Sequence, residues 1–292
     1  MRLLAVLTAC LTGLAATSAV AEQTAGPPAR AHYVKLGIKS GAALVIDQES
    51  GELLFGKNED QVLPIASITK LMTAIVILDS GAPLGESVTI ERADVDRYKG
   101  SRSKLAIGLE LTRSDLLKLA LMASENRAAA ALSRTFPGGS EVFVDAMNRK
   151  ARLLGMNDTR FVDATGLNPG NVSTAADLAK LVAAAHEYPL IREYTTADSA
   201  RLQAVAGTRR PRVLHFVNSN RLVRSSKWQI GLSKTGYISE AGRCLVMQAR
   251  IADKPLIIVL LDSWGKLTRI GDANRIKRWL ETDIAQRAAM RS

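Results

Sequence analysis

The sequence predicts an α+β fold in which a five-stranded antiparallel sheet, contributed by both ends of the chain, is flanked by helices and interrupted by an inserted all-helical lobe. Three observations predict it. Ala42-Ala43-Leu44-Val45-Ile46 and Glu52-Leu53-Leu54-Phe55-Gly56 flank Gln48-Glu49-Ser50-Gly51 in a strand-turn-strand pattern. Near the other end, Ser233 to Ile238, Leu245 to Ile251 and Leu256 to Leu261 are short β-rich runs, joined by Ser239-Glu240-Ala241-Gly242 and Ala252-Asp253-Lys254-Pro255 as hairpin connections. Between these two groups the texture is mixed and mostly helical.

Taken in order, the chain starts with the positive pair Met1-Arg2, the apolar run Leu3 to Ala16, and Ala19-Val20-Ala21 ahead of Glu22. Residues 1–21 therefore read as a secretory signal peptide, too short and wrongly flanked for a lasting transmembrane helix. Leu7-Thr8-Ala9-Cys10 resembles a lipoprotein cleavage box, but hydrophobic sequence continues past it. Residues 22–37, rich in Gly, Pro and Ala between Gln23 and Ala31, form a flexible lead-in. Residues 38–289 make the folded domain, with the helical lobe at about 85–215. Pro64 to Leu78 is apolar almost throughout and long enough for about three helical turns. Thr112-Arg113-Ser114-Asp115 is an N-cap with an acid at the third helical position, opening the apolar face of Leu116 to Met122. Ser124-Glu125-Asn126 then falls at a helix junction, and helix resumes from Ala128 to Leu132. Further helical patterns run from Val142 to Leu154 and from Ala175 to Ala185, on either side of the turn-rich stretch Thr165 to Asn171. The last helix, from about Arg269 to Ala289, carries Ile270, Ala273, Ile276, Leu280 and Ile284 on one face and Arg275, Lys277, Arg278 and Arg287 elsewhere. Packing on the sheet accounts for that stripe better than a membrane surface does.

Composition narrows the function classes. With 292 residues and 47% hydrophobic content the chain can bury a large core. Loss of the signal segment removes Arg2 and no acid, which leaves a formal charge of +10. Nucleic acid is the usual partner of such a charge, but export, an aromatic content of 4% and the lack of a zinc or stacking motif argue against it. Anionic envelope polymers fit better. Cys244 is the only cysteine past the signal segment, so no internal disulfide is expected, and in the run Cys244-Leu245-Val246-Met247 it reads as a small buried hydrophobe. His32, His186 and His215 are scattered, which argues against both a metal site and a Ser-His-Asp triad.

The chemistry lies in Ser67 and Lys70. On the helix opened by Pro64, side chains at i and i+3 share a face, so a hydroxyl would stand over an amine at a helix N-terminus, where unpaired backbone N–H groups favour developing negative charge. The spacing S-x-x-K is expected about once by chance in a chain of this length, and Ser101 with Lys104 and Ser263 with Lys266 repeat it. The first of these lies in a polar run that reads as a solvated loop, and the second follows an apolar run as a strand exit. Only Ser67 opens a hydrophobic helix, where packing would hold both side chains still.

Ser67-x-x-Lys70 is joined by Ser124-Glu125-Asn126 at a helix junction and Lys234-Thr235-Gly236 on a strand. In this order and context the three elements resemble those of the serine penicillin-binding proteins and β-lactamases. The likeness spans about residues 38 to 285 and is strongest to the low-molecular-mass D-alanyl-D-alanine peptidases. Lys234 to Cys244 is especially similar to the endopeptidase branch. The resemblance implies a β-lactamase/transpeptidase-like fold, no cofactor and no metal. It makes Ser67 the acyl-accepting nucleophile and Lys70 its base. Part of the Lys70 population must then be neutral near pH 7, which partial burial and the charge of Lys234 would favour. Ser124 would relay the proton to the leaving amine, and Asn126 would hold the substrate amide and Lys70. Lys234 and Thr235 would bind the substrate carboxylate, Gly236 would allow close backbone approach, and the N–H groups of Ser67 and Tyr237 would form an oxyanion hole.

The loop in which class A β-lactamases place a deacylating glutamate reads Asn157 to Asn168 here and contains none. A peptidase of peptidoglycan stem peptides, acylated and inhibited by β-lactams, is therefore expected. Only 56 residues follow Gly236, too few for the extra β-rich domain and membrane-binding helix that the family's carboxypeptidases usually carry. With the local likeness, this favours a periplasmic endopeptidase that cuts D-alanyl cross-links, soluble or at most loosely attached to the membrane. A D-alanyl-D-alanine carboxypeptidase and a catalytically idle wall-binding module are the alternatives.

Overall fold

The structure is a computed structural model that describes residues 36–204 and 212–289, with side chains for 36–203 and 213–283. The predicted signal peptide and Cys10 lie outside the described residues, as do the lead-in up to residue 35 and the side chains of Ile284 and Arg287. Strands β1 (Ala42–Asp47) and β2 (Leu53–Lys57) form the opening hairpin, and β3 (Leu63–Pro64) leads through a 3-10 turn at Ala66–Thr69 into helix α1 (Lys70–Asp79). Next come β4 (Ser87–Thr89), β5 (Glu110–Thr112), α2 (Arg113–Met122), α3 (Asn126–Arg134) and α4 (Gly139–Leu153). They are followed by β6 (Val172–Ser173), α5 (Ala175–His186), α6 (Pro189–Thr196), β7 (Ser199–Ala204) and β8 (Arg212–Val217). The final group is β9 (Gln229–Ile238), β10 (Gly242–Ile251), β11 (Lys254–Ser263) and α7 (Thr268–Ala289).

The two ends of the chain meet in one antiparallel sheet of order β2-β1-β11-β10-β9, as the sequence predicts. Leu44 stands opposite Val259 where the N-terminal and C-terminal strands join, and Gly236 on the edge strand stands opposite Cys244. Side chains alternate between the two faces of a strand. Ala43, Val45, Leu245, Met247, Ile258 and Leu260 face α7 through Ala273, Ile276 and Leu280. Leu44, Cys244, Val246, Ile257 and Val259 face the helices of the inserted segment. Both faces are covered, so Leu256 to Leu261 is apolar at every position and not at every second one. The apolar stripe of α7 packs on the sheet, as expected.

Helix α1 runs through the middle of the inserted segment with Leu71, Met72, Ala74, Ile75, Val76 and Ile77 all buried, the signature of a helix enclosed by others. The Thr112 cap forms as predicted, its side chain accepting from the Asp115 N–H. The lobe expected to be all-helical also holds two short antiparallel pairs, β4 with β5 and β7 with β8, and the strand β6 that pairs with β3 ahead of it. In β8 the alternation of exposed Val213, His215 and Val217 with buried Leu214 and Phe216 follows period two, a signal too short to stand out beside the longer helices.

Asp272 on α7 ties the start of the domain to its end. Its carboxylate, completely buried, accepts from the Lys39 N–H at 3.1 Å, the Ser40 N–H at 2.8 Å and the Ser40 hydroxyl at 2.6 Å, and it pairs with Arg275. Burial alone would raise its pKa; the bonds from Ser40 and Lys39 and the Arg275 pair outweigh that and hold it below the usual carboxylate value. Asp272→Ala strands these donors and is expected to cost about 3 kcal/mol in urea unfolding at neutral pH. Because the folded-state pKa is the depressed one, the difference from wild type should be fully present above about pH 4. It should shrink as pH falls through the folded-state value.

Candidate active site

Ser67 lies on the 3-10 turn that precedes α1, so the nucleophile candidate sits just ahead of the helix and Lys70 is its first residue. The turn is strained at Ala66, which has φ +48°. Lys70 is fully buried rather than partly so. Its Nζ donates to Ser67 Oγ at 2.8 Å, Asn126 Oδ1 at 2.7 Å and the Thr165 carbonyl at 2.6 Å. Burial pushes the Lys70 pKa down to about 7, against the opposing charges of Asp163 and Glu125.

Ser124 connects α2 to α3 with φ +61°, a left-handed conformation uncommon for a residue with a side chain. Its Oγ accepts from Lys234 Nζ at 2.8 Å. The helix cap here is Glu125, which accepts from the Arg127 N–H, and this leaves Ser124 and Asn126 free to face the cleft amines. Lys234 is buried, with a pKa lowered well below that of a free lysine by burial, by the charge of Lys70 and by that of Arg269. Burial is thus the first cause that lowers both amines, and the like charges of Lys70 and Lys234 oppose one another. Thr235 Oγ1 donates to Ser219 Oγ at 2.7 Å.

Strand β9 is a sheet edge whose far side meets the Ser67 turn. A Cβ at Gly236 would lie 2.9 Å from the Ile65 carbonyl oxygen and 3.1 Å from the Ser67 nitrogen, so only glycine lets the strand pass this close. Tyr237 follows with its side chain 57% exposed and Arg243 stacked over the ring at 4.4 Å. Of the eight residues singled out from the sequence, Ser67, Lys70, Ser124, Asn126, Lys234 and Gly236 meet through these contacts, and Thr235 and Tyr237 adjoin them on β9.

Sequence reasoning missed several neighbours. Ser101, read as part of a solvated loop, accepts from Asn126 Nδ2 at 2.9 Å and so anchors the amide whose Oδ1 faces Lys70. Lys99 in the same loop pairs with Glu240 on the hairpin after Tyr237, which joins the loop to the sheet. Ser219 and the Thr165 carbonyl join the site through contacts that no local pattern announces, and the charge of Arg269 is felt at Lys234. Cys244 is buried and free, its thiol pushed up to about 12 by burial, and takes no part. No group of metal-binding residues occurs among the described residues.

The arrangement has one chemical property that geometry alone decides. A neutral Lys70 amine has two N–H groups and one lone pair, while Asn126 Oδ1 and the Thr165 carbonyl can only accept. With both N–H groups spent on those two, the lone pair is directed at the Ser67 hydroxyl. A serine so placed is equipped for acyl transfer, and the family comparison agrees. A family model for D-alanyl-D-alanine carboxypeptidases matches residues 16–265, and the chain belongs to this family. It is 45% identical over 282 residues to a D-alanyl-D-alanine endopeptidase of Pseudomonas aeruginosa, covering 96% of this chain and 89% of that one. It is also 45% identical over 247 residues to a D-alanyl-D-alanine endopeptidase of Escherichia coli, covering 84% and 78%. The crystal structure of the Streptomyces K15 DD-transpeptidase superposes with a TM-score of 0.78 at 29% identity, over 83% of this chain and 97% of that one.

Gly166 provides a test of the site's packing. It has φ +78°, and a Cβ there would lie 2.0 Å from the Ala66 carbonyl oxygen and 2.9 Å from the Ser67 nitrogen. Gly166→Ala must displace the Ser67 turn and should slow acylation by a fluorescent penicillin by about a hundredfold. A wild-type labelling rate would show that the turn tolerates the shift.

Proposed function

We propose that this D-alanyl-D-alanine peptidase is an endopeptidase that opens peptidoglycan cross-links through an acyl-enzyme on Ser67. The observation that carries the mechanism is the Lys70 amine 2.8 Å from Ser67 Oγ, with its other two bonds held by pure acceptors. In the first step neutral Lys70 takes the Ser67 proton as Oγ attacks the D-alanyl carbonyl carbon. The oxygen that becomes negative is received by the N–H groups of Ser67 and Tyr237, which the close passage of Gly236 supports. Collapse of the tetrahedral adduct breaks the C–N bond, and the leaving amine takes a proton delivered from Lys70 through Ser124. Water then attacks the ester with Lys70 again accepting a proton, which releases the peptide and restores Ser67.

Lys234 and Thr235 bind the substrate carboxylate, with Arg269 adding positive charge behind Lys234. Asn126 and the exposed edge of β9 align the peptide as an added strand. The endopeptidase assignment rests on the two relatives that share 45% of residues. The description of the matching family model favours a carboxypeptidase as the second reading. Residues 1–21 direct the chain to the periplasm as a cleaved signal peptide. There the basic surface meets the wall polymer and not nucleic acid, with at most loose contact with the membrane. No helix among the described residues is long and apolar enough to cross a membrane.

Three measurements test this. Purified protein should cleave cross-linked muropeptide dimers; release of terminal D-alanine from pentapeptides with dimers left intact would replace the endopeptidase by a carboxypeptidase. Wild type should form a stable adduct with fluorescent penicillin that Ser67→Ala abolishes, and rapid penicillin turnover without an adduct would overturn the scheme. Because the Lys70 pKa is lowered to about 7, the acylation rate should rise with pH through that value as the amine loses its proton.

A further inference from the structure

The turn that carries Thr165 is held by a side chain that the mechanism above does not use. Asp163 Oδ1 accepts from the Thr165 N–H at 2.5 Å, the Thr165 hydroxyl at 2.8 Å and the Gly166 N–H at 2.6 Å, and Oδ2 accepts from the Asn168 N–H at 2.9 Å. One carboxylate thus gathers the backbone donors of residues 165, 166 and 168. Ahead of it, the Ala164 carbonyl is fixed by the Thr73 hydroxyl at 2.7 Å, and the Asp163 N–H by Asn171 Oδ1 at 3.3 Å. Behind the turn lies a cavity of about 490 Å³ lined by Asp163, Ala164 and Thr165 together with Asp94, Glu141 and Asp145. On the Ser67 side Gly166 abuts the Ala66 carbonyl, and Ala164 is buried in the core. Where the turn borders the cavity, the Asp163 hydrogen bonds tie its backbone together.

We infer that Asp163 is a positioning residue for acylation: it grips the 163–168 turn so that the Thr165 carbonyl stays on Lys70 Nζ, and it places a negative charge beside that amine. The inference rests on Lys70 acting as the base for Ser67. If the Thr165 carbonyl drifts, the neutral amine regains a free N–H and its lone pair is no longer committed to Ser67 Oγ. The charge acts separately from the grip. The charged groups that bear on the Lys70 amine are Asp163 from the turn, Glu125 from the start of α3 and Lys234 from β9, with Arg269 of α7 behind Lys234. Asp163 and Glu125 favour the ammonium, and burial opposes it.

The test is the pH profile of acylation by fluorescent penicillin for wild type, D163N and D163A, with Ser67→Ala as control. D163N keeps a carbonyl oxygen for the Thr165 and Gly166 donors but removes the charge. Its acid limb should move to lower pH, because Lys70 then loses its proton more readily; a merely structural residue would lower the plateau and leave the midpoint in place. D163A releases the turn and should lower the plateau rate about tenfold to a hundredfold. An unmoved midpoint in D163N, or a wild-type plateau in folded D163A, overturns the inference. Should D163A fail to fold, the D163N midpoint decides alone. A wild-type protein whose labelling survives Ser67→Ala would instead refute the underlying assignment of the nucleophile.

Discussion

An amine enclosed by protein and given three acceptors is the constraint on which the rest of the structure depends. Moving an ammonium out of water is costly, and a lone lysine answers by losing its proton. Lys70 is balanced between the two states because burial pulls one way while Asp163 and Glu125 pull the other. Its three acceptors come from three separate places: the 3-10 turn before α1, the first residue of α3 and the turn after α4. Each of these must be held to a few tenths of an ångström. This explains why α1 is enclosed on all sides, why Asn126 is anchored by Ser101, and why glycines stand at 166 and 236, where any side chain would push the Ser67 turn away.

The second buried amine is placed by the sheet. Lys234 faces the cleft from an edge strand, and an edge exposes backbone groups that a peptide can pair with. In most proteins such an edge is blunted, but here it is partly covered by the Ser67 turn and α6. The sheet can hold this edge still because its central strands are buried on both faces and joined across the two ends of the chain. Formation of the site is thus coupled to formation of the fold. The strand bearing Lys234 is paired with β10, which is joined through β11 to β1 and β2 from the other end of the domain.

This division decides how much was legible in the sequence. The sheet, the Thr112 cap and the α7 stripe are announced by periodicity and turn chemistry within a few residues. Seven of the eight candidate site residues could be read because they fall into three short motifs in a fixed order, and Tyr237 follows the third. Ser101 and Ser219 could not, since each meets the site through a tertiary hydrogen bond, with Asn126 and with Thr235, and leaves no local mark. Asp163 is an intermediate case. An Asp two residues before Thr-Gly is the pattern of a side chain capping its own turn, so the turn was legible, while its contact with Lys70 was not. The pair β7 and β8 escaped notice because its alternation is short and lies within sequence read as helical.

The position of Asp163 also bears on deacylation. It is an acid in the loop where a lactamase would keep its water-activating glutamate, which invites the idea that it restores that function. Its oxygens argue otherwise: between them they already accept four hydrogen bonds from the turn itself. A carboxylate so committed is turned toward the backbone of its own loop, with most of its acceptor positions already occupied. Under the proposed mechanism Lys70 is the base near the peptidyl-D-alanyl ester, and the side from which the amine has left is open to water. A β-lactam leaves its bulky ring-opened remainder attached to the acyl group, where the leaving amine would have departed, and it blocks the approach of water from that side. Under that mechanism, with Asp163 committed to its own turn, slow release of the drug follows from the blocked approach of water.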